Sequence, residues 1–203
     1  MTRRVLVILA HPVLERSQVN RRLADVARAL PGVTLHDLYE VYPTLHISPK
    51  REQKLLLEHD VVVFQHPFYW YSAPALVKEW QDLVLEYGWA YGKGGDKLKG
   101  KLTLNVVSTG GPQFAYRKDG YNRFTMRELL APFDQTAHLC GMKFLAPLVL
   151  HSSLRVETDE HLQPHAEAYR RVIEALRDDT MDVERAMHAE KLDELDTLIT
   201  RAS

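Results

Sequence analysis

Three short stretches carry residue types suited to holding a ligand. The first, His11 with Ser17 and Asn20, follows the apolar run Val5–Leu9. Ser17 stands where an N-cap belongs, before the periodic positions Val19, Leu23, Val26, Ala27 and Leu30, and this spacing predicts a helix from about residue 18 to 30. A helix start offers unpaired N–H groups and the positive end of a dipole, so it can hold a phosphate or another anion without a lysine. Ser17 and Asn20 add side-chain donors. The second stretch is Phe68, Tyr69 and Trp70, three consecutive rings just beyond an apolar run. Such a cluster is costly in water unless something flat covers it, which suits a planar cofactor. The third, Ser108-Thr109-Gly110-Gly111, lets a backbone approach a ligand closely, because glycine tolerates positive φ and has no side chain to clash. Together they suggest one phosphate and one planar ring system. Each also has a plainer reading: an ordinary βα turn, loop-to-helix core packing, and a simple turn.

The elements that must position these stretches alternate along the chain. Val5–Leu9 is an unbroken apolar run that fits a strand buried on both faces. Residues 33–38 alternate apolar and polar, predicting a half-exposed edge strand, and residues 60–65 predict a second deeply buried strand. Ser48-Pro49 opens a short helix to about residue 58, and Ser72 with Pro74 opens another that carries Leu76, Val77, Trp80, Leu83 and Val84 on one face. Residues 101–108 and 143–150 predict the fourth and fifth strands, with helices over about 125–140 and 159–176. Five strands joined by helical crossovers imply a parallel α/β sheet with right-handed connections. In a 2-1-3-4-5 order the loops at residues 10–20, 66–72 and 108–116 converge beyond the carboxyl ends of the strands, where such sheets bind ligands.

Composition bounds the function. At 203 residues with 45% hydrophobic content, the chain supports one α/β domain and is too short for two comfortable ones. A net charge of -1 supplies no basic face for nucleic acid. One cysteine, Cys140, rules out an internal disulfide framework and fits a reducing compartment. No apolar run reaches membrane-spanning length and no signal-peptide pattern precedes the first strand, so the expected location is cytoplasmic. Competing motifs fail on context. Residues 95–101 imitate a nucleoside-triphosphate loop, but Leu102 replaces the required hydroxyl and a strand follows where a helix should. There is no G-x-G-x-x-G after the first strand and no G-x-S-x-G elbow. His161 and His165 flank Pro164 without the glutamate of a metalloprotease helix, so no metal site is expected. Ser72 reads as a cap and Cys140 as a buried structural thiol.

With these residues in hand, the sequence resembles the flavodoxin-like NAD(P)H:quinone oxidoreductases. It is most similar to the bacterial branch that serves as ancillary subunits of glutathione-regulated potassium-efflux systems. The resemblance rests on Ala10-His11-Pro12 with residues 17–20, the phrase from Phe64 to Trp80, Gly88-Trp-Ala-Tyr-Gly92 and residues 108–111, and it covers roughly residues 4–176. It implies a flavodoxin-like three-layer fold over residues 1–179, with residues 180–203 as a C-terminal helical extension. It also implies a flavin whose phosphate is bound by His11, Ser17, Gln18, Val19 and Asn20. The ring would be framed by Pro67, Phe68, Tyr69 and Trp70 on one side and by Ser108, Thr109, Gly110 and Gly111 on the other. FMN is the form implied at this size, with FAD used by longer relatives. The implied activity is ping-pong, two-electron hydride transfer from NAD(P)H to a quinone, with Tyr116 as a catalytic helper. Relatives follow that tyrosine with a histidine, and residues 117–124 contain none, which leaves solvent or Tyr121 to move protons. The implied partners are a second copy of the chain and a potassium-efflux antiporter at the inner membrane; a regulatory subunit with secondary reductase activity is the alternative, and a flavodoxin-type electron carrier a further one. Beyond the resemblance, Met181, Met187, Leu192, Leu195, Leu198 and Ile199 recur at roughly helical spacing and predict an amphipathic helix.

Overall fold

The structure is a computed structural model and describes residues 2–155, 158–192 and 195–199. In chain order the elements are β1 (Val5–Leu9), α1 (Gln18–Ala29), β2 (Val33–Asp37), α2 (Leu38–Val41), α3 (Pro49–Leu57), β3 (Val61–Pro67) and α4 (Ala75–Val84). They continue with β4 (Leu102–Ser108), α5 (Met126–Leu129), α6 (Ala131–Leu139), β5 (Lys143–Phe144), β6 (Leu148–Leu150), α7 (Asp159–Arg177), α8 (Val183–His188) and α9 (Leu195–Leu198). All strand pairs are parallel and the order is β2-β1-β3-β4-β5, with β6 also pairing β4.

The buried strands follow from their sequences. Every residue of β1, β3 and β4 is buried, and side chains alternate between two cores. Val5, Val7, Val61, Val63 and Leu104 pack under α1 and α7, while Leu6, Ile8, Val62 and Phe64 pack under α3, α4 and α6. The register sets the strand ends level: Leu9 lies beside Gln65, Pro67 beside Ser108, and Ser108 beside Leu150. The loops leaving β1, β3, β4 and β6 therefore start at one rim.

Several boundaries differ from the sequence expectation. β3 runs to Pro67, two residues past the expected Gln65, since Gln65 and His66 are polar yet find partners, Gln65 on α1 and α7 and His66 on β4. The expected helix over 125–140 is split at Leu130, because Pro132 lacks an N–H to continue it. The expected fifth strand over 143–150 is interrupted at Leu145-Ala146-Pro147, so among the described residues the sheet has six strands where five were expected. In β2 the buried residue is the polar His36, whose Nε2 lies 3.0 Å from both Glu52 carboxylate oxygens. That carboxylate also accepts from Tyr42 at 2.6 Å and from Trp80 at 2.8 Å, so a polar knot pins the edge strand to α3.

The C-terminal segment forms two short helices, α8 and α9, in place of one amphipathic helix; residues 193–194 and 200–203 lie outside the described residues. Met181, Leu192, Leu195 and Leu198 are buried in the same core as Leu23 and Val172, and Met187 and Ile199 pack against it. Arg127 on α5 donates to the carbonyls of Met187 and Ala189 at 2.6 and 2.5 Å, capping the end of α8.

Candidate functional site

The first rim loop ends at Ser17, whose hydroxyl accepts from the backbone N–H of Asn20 and from Asn20 Nδ2, both at 3.1 Å. This cap uses one of the four unpaired donors of the helix start and leaves the N–H groups of Gln18 and Val19 as first-turn donors. Val19 contributes only backbone, since its side chain is in the core; Gln18 is exposed. His11 is buried beside this turn and its Nδ1 accepts from the Val13 N–H at 3.2 Å. Burial holds His11 below the usual imidazole range against the pull of Asp37 and Glu15. The neutral ring must then carry its proton on Nε2, which makes that nitrogen a donor.

Asn20 connects the loops. It is 1% exposed, and its Nδ2 also donates to Ser108 Oγ at 2.9 Å. Its backbone carbonyl accepts from Gln65 Nε2 at 3.0 Å, and Gln65 Oε1 accepts from the buried Tyr169 hydroxyl at 3.0 Å. Asn20 Oδ1 has no partner among the described residues. An orphaned buried acceptor beside unpaired N–H groups suits a ligand carrying both an anion and hydroxyl donors, as the ribityl phosphate of a flavin does.

The second loop places its aromatics differently. Phe68 is buried, and its N–H donates to the Ser108 carbonyl at 2.8 Å. Tyr69 to Ser72 is a tight turn closed by the Ser72 N–H on the Tyr69 carbonyl at 3.0 Å, with Trp70 at φ 49 and Tyr71 at φ 63. Both central residues sit in the left-handed region, a conformation that favours glycine or asparagine and costs bulky residues about 1–3 kcal/mol each. Trp70 is 94% exposed at its tip, and Tyr69 meets His11 edge-on with ring centroids 6.1 Å apart.

The third loop is tied down from both sides. Thr109 N–H donates to the Leu150 carbonyl at 2.8 Å, and its hydroxyl donates to the Gly111 carbonyl at 2.8 Å. Neither Gly110 nor Gly111 uses the positive φ that glycine tolerates. Space is what they provide. A Cβ on Gly111 would stand 3.3 Å from the Tyr116 ring, and one on Gly110 3.0 Å from Leu154. Tyr116 packs edge-on against Phe68 at 6.2 Å. Burial raises its hydroxyl pKa, partly offset by hydrogen bonds to Thr109 and Asn122.

These loops enclose a groove of about 530 Å³, lined by Phe68, Trp70, Tyr71, Gly111, Tyr116 and Tyr121. Contacts thus run without a break from Ser17 through Asn20 and Ser108 to Phe68 and the groove. Pro67 ends β3 within this chain of contacts. Tyr71, Asn122 and His151 also belong here and were not singled out in the sequence. The Tyr71 hydroxyl donates to Asn122 Oδ1 at 3.3 Å, and His151 stands 5.4 Å from Tyr116 between ring centroids. Tyr71 extends the aromatic run and His151 directly follows a strand, signals that were present; nothing local marks Asn122.

The chain has known relatives. A glutathione-regulated potassium-efflux system ancillary protein KefG of Enterobacter sp. (strain 638) is 46% identical over 168 residues, covering 83% of this chain and 91% of that protein. Among solved structures, one described as a thermophilic tryptophan halogenase from Streptomycin violaceusniger is 45% identical with a TM-score of 0.80, covering 83% of this chain and 97% of that one. General stress protein 14 of Treponema denticola, solved in complex with FMN, is 39% identical with a TM-score of 0.77, covering 87% and 98%. An NADPH-quinone reductase from P. pentosaceus is 35% identical with a TM-score of 0.75, covering 83% and 96%. Residues 3–173 match the flavodoxin-like fold family, and the chain belongs to that family.

Proposed function

We propose that this chain is an FMN-dependent NAD(P)H:quinone oxidoreductase working by two-electron, ping-pong transfer. The observation that carries the reading is the continuity of the rim: a helix start built for an anion, an unpaired buried acceptor at Asn20, and an aromatic groove at the far end. FMN, when bound, supplies the hydride chemistry that lets NAD(P)H and a quinone use one groove in turn. The chain's residues do the rest. The N–H groups of Gln18 and Val19, His11 Nε2–H and Ser17 bind the phosphate; Asn20 Oδ1 accepts from a ribityl hydroxyl. Pro67, Phe68, Tyr69 and Trp70 frame one side of the ring, and Ser108, Thr109, Gly110 and Gly111 the other. Tyr116 holds its proton at the groove wall, where burial keeps the phenol neutral. FMN rather than FAD is favoured because a relative of similar length binds FMN.

The groove is half open, and Trp70, Phe114 at 68% exposure and Tyr121 at 89% stand around it. Large apolar rings left in water mark a surface that another protein covers, and a second copy of this chain closing each groove is the arrangement proposed. The test is an absorbance spectrum of purified protein with mass measurement of any released chromophore, followed by NAD(P)H oxidation with a soluble quinone. A yellow, FMN-bearing dimer that turns over is the expected result; a protein that cannot be reconstituted with FMN sinks the reading.

A second reading is favoured by the 46% identity to a KefG protein: a cytoplasmic ancillary subunit docked on a potassium-efflux antiporter at the inner membrane, with reduction secondary. It predicts co-purification with the transporter, and potassium efflux that survives substitutions abolishing hydride transfer.

A further inference from the structure

A second cavity, of about 250 Å³, shares no lining residue with the aromatic groove. Leu148 and Leu150 of β6, Ala168 of α7 and Leu192 give it an apolar wall, while His165 and Lys191 bring polar groups to it. Lys191 and Leu192 lie outside residues 3–173, the span that matches the family. We propose that this cavity is a binding site for a compact organic carboxylate, assembled between the domain and its C-terminal segment. The proposal stands independently of the oxidoreductase reading.

The strand edge supplies a backbone donor. Leu150 turns its carbonyl toward β4, where it accepts from the Thr109 N–H at 2.8 Å. Val149, one residue earlier, therefore turns its N–H and C=O to the opposite side. On that outer side the Leu192 N–H donates to the Pro147 carbonyl at 2.9 Å, and the Ala146 N–H donates to the Ala186 carbonyl at 2.8 Å. The C-terminal segment thus covers the edge at residues 146–147 and leaves Val149 facing the cavity that it lines.

Side chains supply the rest. His165 is half-buried and has no hydrogen-bond partner among the described residues. Burial lowers its pKa, and the neutral ring carries one N–H to donate. His151 adds a second imidazole, held by its Nδ1 at 3.2 Å from Thr109 Oγ1. Lys191 adds an ammonium, and no carboxylate lines the cavity among the described residues. One ammonium matches one negative charge, which favours a carboxylate over a phosphate dianion. The leucines match an apolar body behind that charge. Drug-sized pockets span roughly 300–1,000 Å³, so this smaller cavity selects a compact molecule.

The test titrates benzoate into the full chain and follows ¹H–¹⁵N shifts, with benzamide as the uncharged counterpart and inorganic phosphate as the competing anion. Benzoate should give saturable shifts at Val149, His165 and Leu192, benzamide should give none there, and phosphate should bind more weakly. Lys191→Met keeps the aliphatic stem and should weaken benzoate by about tenfold or more, the loss of one charge-assisted hydrogen bond. Should that variant fail to fold, the contrast between benzoate and benzamide in the unaltered chain decides alone. Equal shifts with benzamide, no saturable shift at these residues, or undiminished binding in a folded Lys191→Met overturns the site. Shifts confined to Phe68, Tyr116 and Tyr121 place benzoate in the groove and overturn it as well. Tighter binding of phosphate overturns the carboxylate assignment.

Discussion

The Asn20 carboxamide donates to two hydroxyls and leaves its oxygen unpaired inside the protein, an arrangement costing about 1–3 kcal/mol until a donor arrives. A ligand hydroxyl that fills the vacancy recovers this cost as affinity. Asn20→Ala should therefore weaken FMN binding by about tenfold or more, read by quenching of flavin fluorescence; undiminished affinity would mean that the flavin does not reach Asn20. Trp70 presents the opposite case. Its backbone is held at φ 49 while its ring is 94% exposed, so folding gains little from it and bears the strain. Trp70→Gly should leave the thermal midpoint unchanged or raise stability by about 1 kcal/mol while slowing quinone turnover. A clear fall in the midpoint would show that the turn is not strained. A stability gain coupled to lost function is what a residue kept for contact, not for packing, produces.

Among the elements, β3 carries the polar load. Gln65 and His66 occupy the middle of a parallel sheet where apolar residues are the rule, and both are satisfied from neighbouring elements. His66 is fully buried, takes a hydrogen bond from Asn105 at 3.0 Å and stacks on Phe133. Burial pushes its pKa down from 6.5 to about 4. Between those values the unfolded chain binds a proton that the folded chain refuses. Stability from this group is complete above pH 6.5 and is lost, at about 1.4 kcal/mol per pH unit, as the pH falls toward 4. Urea unfolding from pH 7 to 4.5 should show this decline, and His66→Gln should flatten it. An unaltered slope in the variant would assign the acid sensitivity to another group.

For the whole molecule, the C-terminal segment and the sheet share one core. Leu192 is buried in the same core as Val172 and also lines a cavity of about 250 Å³ beside His151 and His165. Leu192→Ala should lower the unfolding free energy by about 2–5 kcal/mol in urea titrations; a loss under 1 kcal/mol would mean that residues 180–199 pack loosely on the domain. The sequence alone determined the layered α/β architecture and the helix start at Ser17, because buried parallel strands need unbroken apolar runs and a cap needs its hydroxyl within three residues; the strand order came only with the family resemblance and is set by the crossovers. The sequence also marked His11, Phe68 to Trp70 and Gly111 as rim residues, since each directly follows a strand or its loop. Only the tertiary structure decided that Asn20 reaches Ser108 across 88 positions, that Phe68 turns inward while Trp70 turns out, and that His151 stands beside both Thr109 and the Tyr116 ring. The physical reason is range. Periodicity and capping act within a few residues and are written locally, whereas a hydrogen bond between loops depends on strand register and crossover packing, which no single stretch of sequence encodes.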